Sequence, residues 1–349
     1  MQEIKFYFFK TKDELANNKY INMDFVITWV DDNDPEWREQ FYKYKNEESP
    51  GSQDSRFRSW DNFHYWFRGV EKFAPWVNKI HFVTWGHVPK WLNTNHPKLN
   101  IVKHEDFIPS EYLPTFNTRT IELNFHRIKG LSEEFVVFND DVFLIDKVTP
   151  KMFFVNGKPC DMPIILPFGI SEYTKAMLNN LIVINRNFNI KNEIKKRWAN
   201  WINFKYGKYN VSNIIFLSFM KSHHIAPMNF HIALPTKKST LDTLWDKEYE
   251  VMHDSAKHKF RKTDSVNIAL PRYWDLLSNN FHPINRLKMG ASISVHDENI
   301  RNATSFIKEH KKPIVCLNDH KHLEGFDYAK NEVNRALNLI LSEKSNFEI

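Results

Sequence analysis

The sequence has few cysteines, few glycines and no long apolar run. Among 349 residues there are two cysteines, Cys160 and Cys316, and nine glycines. Two cysteines cannot form a dense disulfide scaffold, which predicts a reducing compartment. So few glycines exclude collagen-like and glycine-rich low-complexity chains. No apolar run approaches the roughly 20 residues of a membrane span, and the N-terminus does not read as a signal peptide. These absences predict a soluble, cytoplasmic protein.

Apolar and charged residues are both plentiful. Hydrophobic residues make up 42% and aromatic residues 15% of the chain, which is enough for a sizeable core and far from the composition of a disordered chain. Lys and Arg number 48 against 42 Asp and Glu, a formal net charge of +6. This excess suits anionic partners such as nucleotides, phosphorylated glycans or an acidic membrane leaflet, and it equally suits an ordinary solvated surface.

Apolar strand-like segments alternate with amphipathic segments over the first 145 residues. Strands are predicted at 23–30, 80–84, 99–102 and 135–138, and helices at 63–73, around Trp91 and at 120–128. Ser59 is the expected N-cap of the helix at 63–73, and Pro75 is its expected stop. The alternation predicts an α/β fold with a mostly parallel, Rossmann-like sheet and helices on both faces.

The alternation fades after residue 145. Residues 146–228, which include a Lys-, Arg- and Trp-rich helical stretch at 190–204, are predicted to form a helical insertion or lid. A strand at 314–317 and a final helix at about 328–342 then return to the core pattern. The sequence therefore predicts three parts, 1–145, 146–228 and 229–349.

Acidic clusters directly follow two of the predicted strands. Asp31, Asp32 and Asp34 follow the first strand, and Asp140 and Asp141 follow the fourth, immediately after an asparagine. Ligands of parallel sheets bind beyond the carboxyl ends of the strands. Adjacent carboxylates repel each other, and a Mg²⁺ ion bridging them to a diphosphate would relieve that repulsion. Helix capping and turn formation explain the same residues without a metal. Trp29 could stack on a nucleobase or simply fill the core.

Basic residues form a third group of candidates. His231 lies between Pro227 and Pro235, and Arg261 ends a His-Lys-Phe-Arg run. Histidine can take a proton near neutral pH, and arginine can hold phosphate oxygens. Most of the 16 histidines are nevertheless expected on the surface or in hydrogen-bonded core positions. No zinc-type Cys or His spacing, P-loop, GxGxxG or GxSxG motif occurs.

Four blocks of the chain resemble the Stealth family of hexose-1-phosphoryl transferases, which includes bacterial capsule polymerases and the animal N-acetylglucosamine-1-phosphotransferase. The blocks are DFVITWVDDNDPEW at 24–37, a long block over 56–143, HIALPTKKSTLDTLW at 231–245 with HKFR behind it, and CLND at 316–319. The long second block is highly specific, whereas CLND alone is not.

The resemblance implies a glycosyltransferase-A-like fold and a reaction. A sugar-1-phosphate would move from a UDP-sugar, by default UDP-N-acetylglucosamine, to a sugar hydroxyl with release of UMP. The product would be a phosphodiester in capsular or cell-surface polysaccharide, and the cofactor would be Mg²⁺ or Mn²⁺. The partners would be a glycan or glycolipid acceptor and, peripherally, the inner membrane face or the capsule assembly machinery, with no nucleic acid. Residues 1–145 would bind the nucleotide-sugar, 146–228 would serve the acceptor, and 229–349 would complete the catalytic core.

The resemblance also implies roles for individual residues. The catalytic residues would be His231 as general base, Arg261 as phosphate clamp, Asp141 and Glu122. The donor would be bound by Thr28, Trp29, Asp31, Arg56 and Arg58. The metal would be held by Asp140, Asp141, Asn318 and Asp319.

Two positions depart from the family pattern. Ser59 follows Arg58 where the family has an aspartate, and Arg119 follows Thr118 where the family has a histidine after serine. Because His231 and Arg261 are both present, these changes do not predict an inactive protein. Two alternatives stay open: a conventional metal-dependent glycosyltransferase that releases UDP, and a non-catalytic glycan-binding protein.

Overall fold

The structure is a computed structural model that describes residues 22–45, 59–166, 169, 172–219, 227–320 and 323–349, with 172, 173 and 219 as backbone only. Arg56 and Arg58, two of the expected donor-binding residues, lie outside the described residues. Both cysteines are free and buried. No helix among the described residues is long and apolar enough to cross a membrane.

The strands and helices are numbered in chain order. The strands are β1 Met23–Trp29, β2 Ile80–Thr84, β3 Leu99–Lys103, β4 Glu134–Phe138, β5 Val142–Leu144, β6 Phe154–Val155, β7 Lys158–Asp161, β8 Leu234–Lys237, β9 His282–Pro283, β10 Gly290–Val295 and β11 Ile314–Asp319. The helices are α1 Pro35–Tyr44, α2 Phe63–Phe73, α3 His104–Phe107, α4 Thr118–Leu123, α5 Glu172–Asn187, α6 Ile190–Lys196, α7 Trp198–Trp201, α8 Tyr209–Phe219, α9 Lys238–Lys247, α10 Tyr249–Ala256, α11 Ala269–Leu277, α12 Arg286–Met289, α13 Ile300–Lys308 and α14 Phe326–Ile340.

The central sheet has the strand order β3-β2-β1-β4-β8. Strands β1 to β4 are parallel, and β8 is antiparallel to β4 at one edge. Successive residues of a strand point to opposite faces, so Phe25 and Ile27 join one hydrophobic core and Val26 joins the other. Helices α2, α13 and α14 contribute to the first core and α9, α10 and α11 to the second. The predicted α/β fold, with a mostly parallel sheet between two helical layers, is confirmed.

Helix α2 spans the predicted residues, but its N-terminus differs from the prediction. The N-cap is Asn62, whereas the Ser59 hydroxyl donates to Asp61 Oδ1 at 2.7 Å. Ser59 therefore stabilises the turn before the helix rather than the helix itself. Gly69 lies on the inner face of α2, where an added Cβ would lie 2.6 Å from the carbonyl oxygen of Leu144. Glycine at this position lets α2 pack closely against β5.

A smaller sheet joins the C-terminal part of the chain to the end of β4. In this sheet, of order β10-β11-β5, β11 is parallel to β10 and antiparallel to β5. A third sheet has the order β6-β7-β9. Strand β11, from the C-terminal part of the chain, therefore lies beside β5, the segment that follows the fourth strand. The boundaries of the three predicted parts remain a prediction.

Three predicted helices differ from the structure. The segment around Trp91 is a turn, because Trp91 and its neighbour Asn93 hydrogen-bond the backbone of Ile349 and Phe347 near the C-terminus. The helix predicted at 120–128 is α4 followed by a separate 3-10 turn, Phe125–Arg127. The stretch predicted at 190–204 divides into α6, α7 and a 3-10 turn, Phe204–Tyr206.

Candidate active site

The topology brings the candidate residues to the carboxyl edge of the central sheet. Ile27 of β1 lies beside Phe138 of β4, so Thr28 and the acidic cluster that follows Phe138 leave the sheet side by side. Strand β8 runs antiparallel to β4, with Leu234 opposite Val137. The segment just before β8, which contains His231, therefore returns to the same edge.

Strand β11 reaches this edge from the smaller sheet. Cys316 pairs with Val142, and the backbone N–H of Leu317 donates to the carbonyl oxygen of Asp141 at 2.9 Å. Because β11 and β5 run antiparallel, the next two residues of β11, Asn318 and Asp319, extend alongside the acidic cluster. Asn318 Nδ2 donates to Ser292 Oγ at 2.6 Å. Ser292 is a contact that the sequence did not suggest.

Asp141, His231 and Cys316 form a compact group of potential metal ligands. One ligand atom from each lies within 4.8 Å of the others. Cys316 Sγ donates to Asp141 Oδ2 at 3.3 Å, and burial raises the pKa of the thiol, so the thiol keeps its proton. The Oδ1 atom of Asp141 is buried and has no hydrogen-bond partner among the described residues.

The surroundings of the two adjacent carboxylates disfavour their charged forms. Asp140 is accessible to solvent, yet the surrounding protein and then the neighbouring Asp141 raise its pKa to about 7. Burial raises the pKa of Asp141 to about 6. A divalent cation between these oxygens would favour their charged forms, and the unpartnered Asp141 Oδ1 fits such an ion.

The Nε2 atom of His231 is a hydrogen-bond acceptor. It lies 3.2 Å from Asn139 Nδ2; because an amide nitrogen only donates, that ring nitrogen is the acceptor and the ring proton is on Nδ1. The side chain of His231 is exposed, yet desolvation by the surrounding protein and then the positive charge of Arg261 lower the pKa of the imidazole. The neutral form of His231 is therefore favoured near neutral pH.

Arg261 and Glu122 lie on two segments that pack together. Arg261 Nη2 donates to Thr118 Oγ1 of α4 at 2.9 Å, and Asn117 Nδ2 donates to the carbonyl oxygen of His258 at 3.0 Å. Burial raises the pKa of Glu122 to about 7, and the charges of Arg261 and Arg119 oppose this rise. The charge of Arg261 affects the pKa values of both Glu122 and His231. Arg261 therefore lies near both α4 and the carboxyl edge of the sheet.

The first acidic cluster has a different structure from the second. Asp34 is the N-cap of α1, accepting a hydrogen bond from the N–H of Trp37 at 2.8 Å, so the capping interpretation is confirmed for this residue. The N–H of Asp31 donates to His87 Nε2 at 2.8 Å. The ring of Trp29 stacks on Phe63 with centroids 6.0 Å apart, and it packs against the first core. Core filling thus accounts for one face of Trp29.

Two buried arginines fix the segment that carries His231. Arg272 forms a bidentate pair with Asp161, at 2.6 and 3.1 Å, and its Nη1 donates to Asn229 Oδ1 at 3.0 Å. Arg286 Nη2 donates to the carbonyl oxygen of Ala233 at 2.7 Å. Both guanidinium groups also lie over the ring of Phe230, 5.4 and 5.5 Å from its centroid. The backbone on either side of His231 is therefore held by a charged network that no local sequence pattern reveals.

We expect Asn229→Ala to lower the free energy of unfolding by about 1–2 kcal/mol, because it removes an acceptor from the buried Arg272. Urea denaturation measures this difference. The control is Asn192→Ala, an exposed position on α6, where we expect a change within about 0.5 kcal/mol. Equal free energies of unfolding for the two variants would mean that the contact between Asn229 and Arg272 does not stabilise the protein.

Comparison with known proteins identifies the family. The model of Stealth protein conserved region 1 matches residues 22–49, and that of conserved region 2 matches residues 56–161. Capsular polysaccharide phosphotransferase WcwK of Streptococcus pneumoniae is 42% identical over 94% of this chain and 99% of its own length. The chain belongs to the Stealth family. Receptor polysaccharide phosphotransferase WefC of Streptococcus gordonii, 35% identical over 94% of this chain and 99% of its own, is a further relative.

The two matched regions of this Stealth protein contain the first two resembling blocks and eight of the expected site residues: Thr28, Trp29, Asp31, Arg56, Arg58, Glu122, Asp140 and Asp141. Among solved structures, galactosyltransferase LgtC in complex with donor and acceptor sugar analogues aligns with 90% of this chain and 96% of its own. The TM-score is 0.37 and the identity 10%.

Proposed function

We propose that this Stealth protein transfers a sugar-1-phosphate from a UDP-sugar to a sugar hydroxyl of capsular or cell-surface polysaccharide and releases UMP. The relatives WcwK and WefC are named as capsular and receptor polysaccharide phosphotransferases, which supports phosphoryl transfer. The observation that carries the proposal is that a neutral histidine, two carboxylates and a guanidinium converge on one edge of the sheet.

In the proposed reaction the acceptor oxygen bonds to the sugar-proximal phosphorus of the donor, and the bond from that phosphorus to UMP breaks. His231 takes the hydroxyl proton at Nε2, once the acceptor displaces the amide of Asn139 from that nitrogen. Arg261 binds oxygens of the transferring phosphate and stabilises the charge that develops there. Such catalysis depends mainly on positioning and charge stabilisation.

The donor diphosphate carries negative charge into a site that already contains carboxylates. Asp140 and Asp141, with Asn318 and Asp319, would hold a Mg²⁺ or Mn²⁺ ion there. Such an ion supplies charge neutralisation between the acidic residues and the diphosphate. Glu122 balances the charges of Arg261 and Arg119 behind the phosphate site. Thr28, Trp29 and Asp31 would contact the nucleotide, and residues 146–228 would contact the acceptor.

Incubation with a panel of UDP-sugars, Mg²⁺ and oligosaccharide acceptors tests the reaction. We expect UMP as the nucleotide product and a phosphodiester signal in the ³¹P spectrum of the glycan. Release of UDP would instead mean a conventional glycosyltransferase, in which the sugar moves without its phosphate. Unchanged UDP-sugar with every acceptor would favour a glycan-binding protein. N-acetylglucosamine is the first donor sugar to test.

A further inference from the structure

The positive charge of the chain is concentrated in the helical insertion. Between residues 172 and 219 there are eight Lys or Arg residues and two acidic residues. This excess of six equals the formal net charge of the whole chain, so the rest of the protein is balanced. A charge excess confined to four consecutive helices, α5 to α8, points to a local anionic partner rather than to a generally basic surface.

Helix α8, within this insertion, is anchored to the protein by a buried asparagine and by two partly buried apolar residues, Phe216 and Leu217. Asn213 is buried, and its Nδ2 donates to the carbonyl oxygens of Pro163 at 2.9 Å and Trp201 at 2.7 Å. Its Oδ1 accepts from the N–H of Ile165 at 2.9 Å. These hydrogen bonds, together with the packing of Phe216 and Leu217 against the second core, fix the inward side of α8.

The opposite side of α8 is apolar and exposed. Val211, Ile214 and Ile215, at the i, i+3, i+4 spacing of one helical face, are 59%, 46% and 47% exposed. An ordinary surface helix presents polar or charged residues on its outer side, whereas α8 has apolar residues there. Helix α8 also contains no charged residue, so nothing on it opposes contact with an apolar phase.

A 3-10 turn extends the exposed apolar surface at the start of α8. Phe204 is 87% exposed. Its neighbour Asn203 is tied to Asn210 in the first turn of α8 by two hydrogen bonds, of 2.9 and 2.6 Å. Lys208 is exposed between this turn and the helix. We call Phe204, Lys208, Val211, Ile214 and Ile215 the basic apolar surface.

We propose that the basic apolar surface docks on an anionic membrane, with α8 lying in the plane of the interface. Apolar residues beside a lysine, in a segment with an excess of positive charge, match an interfacial helix, which buries its apolar side between acyl chains while cations meet lipid phosphates. A second copy of the chain is a poorer partner, since it would bring an equal positive charge to the same contact. Helix α8 has eleven residues, too few to span a bilayer. This proposal is independent of the reaction proposed above.

Co-sedimentation of the full chain with lipid vesicles tests the docking. We expect binding to phosphatidylglycerol–phosphatidylcholine vesicles, weaker binding at high salt, and little binding to phosphatidylcholine alone. Lys208→Gln is expected to reduce partitioning about fivefold at low salt. The triple change Val211→Ser, Ile214→Ser, Ile215→Ser is expected to reduce it more than tenfold, because the buried apolar area is lost. Phe204→Ser, a single change at the most exposed of these residues, should act in the same direction.

Matched controls lie on other helices. Leu339→Ser on α14, where Leu339 is 64% exposed, and Lys308→Gln on α13 are expected to leave partitioning unchanged. Equal partitioning of the wild type and the triple variant would overturn the proposal, as would equal binding to neutral and anionic vesicles. A wild-type dimer that the triple change converts to a monomer, without vesicle binding, would assign the surface to a second copy instead. Circular dichroism establishes that each variant is folded.

Discussion

His231→Ala is expected to lower turnover by about 10²- to 10⁴-fold, the usual cost of losing a general base. Binding of the UDP-sugar should change little, because the base acts on the acceptor hydroxyl. His231→Gln should be equally inactive: the amide restores a polar side chain of similar reach but cannot take the proton. Turnover is measured by UMP release and donor affinity by titration calorimetry.

The control for this prediction is His96→Ala. His96 precedes β3, where its carbonyl oxygen accepts from the N–H of Leu99, so it lies at the amino edge of the sheet, opposite the proposed site. The turnover of the His96→Ala variant should match that of the wild type. Near wild-type turnover of His231→Ala would remove the assignment of the base. A shift in the Mg²⁺ titration of His231→Ala would instead make the imidazole a metal ligand, a role its distance from Asp141 permits.

The parts of the fold that were predicted correctly are those whose structure follows from the pattern of apolar residues within a short stretch of sequence. Strands β1, β2 and β4 are apolar runs buried on both faces, a pattern that follows from position in a parallel sheet. Helix α2 shows a strong apolar stripe and ends two residues before Pro75. The segment around Trp91 was predicted wrongly because its conformation depends on hydrogen bonds to Phe347 and Ile349, which no local window contains.

In the candidate site, too, local sequence predicts some features, and contacts between distant segments determine the others. Both acidic clusters follow strands and have similar compositions, yet Asp34 caps a helix while Asp141 contacts Cys316 of a distant strand. Only the pairing of β8 with β4 and of β11 with β5 distinguishes them. The contact between Asp161 and Arg272 joins residues 111 positions apart, so the network around His231 could not be predicted from spacing. The roles of the individual site residues stay predictions.

Asp141→Asn is expected to raise the Mg²⁺ concentration for half-maximal activity by about tenfold or more, since even the loss of an outer-shell partner of a metal ligand commonly costs 10- to 100-fold in affinity and Asp141 is proposed to be a ligand itself. The substitution keeps the shape of the side chain and removes the charge that attracts the cation. It also removes one of two adjacent carboxylates whose pKa values are raised to about 7 and about 6 in the protein. The folded protein should therefore be as stable as the wild type, or more stable, while donor affinity in Mg²⁺ falls.

Two further variants make this test specific. Asp146→Asn lies beyond the other end of β5 and should leave the metal titration unchanged. Cys316→Ser retains a hydrogen donor for Asp141 Oδ2 and should also leave the metal titration unchanged, because the proposed ligands do not include the protonated thiol. If Cys316→Ser shifted the titration as far as Asp141→Asn, the thiol would be a ligand and the site would suit a softer ion than Mg²⁺. If Asp141→Asn left the titration unchanged, the cation would have to be held elsewhere, and the proposed division of roles at this edge of the sheet would be wrong.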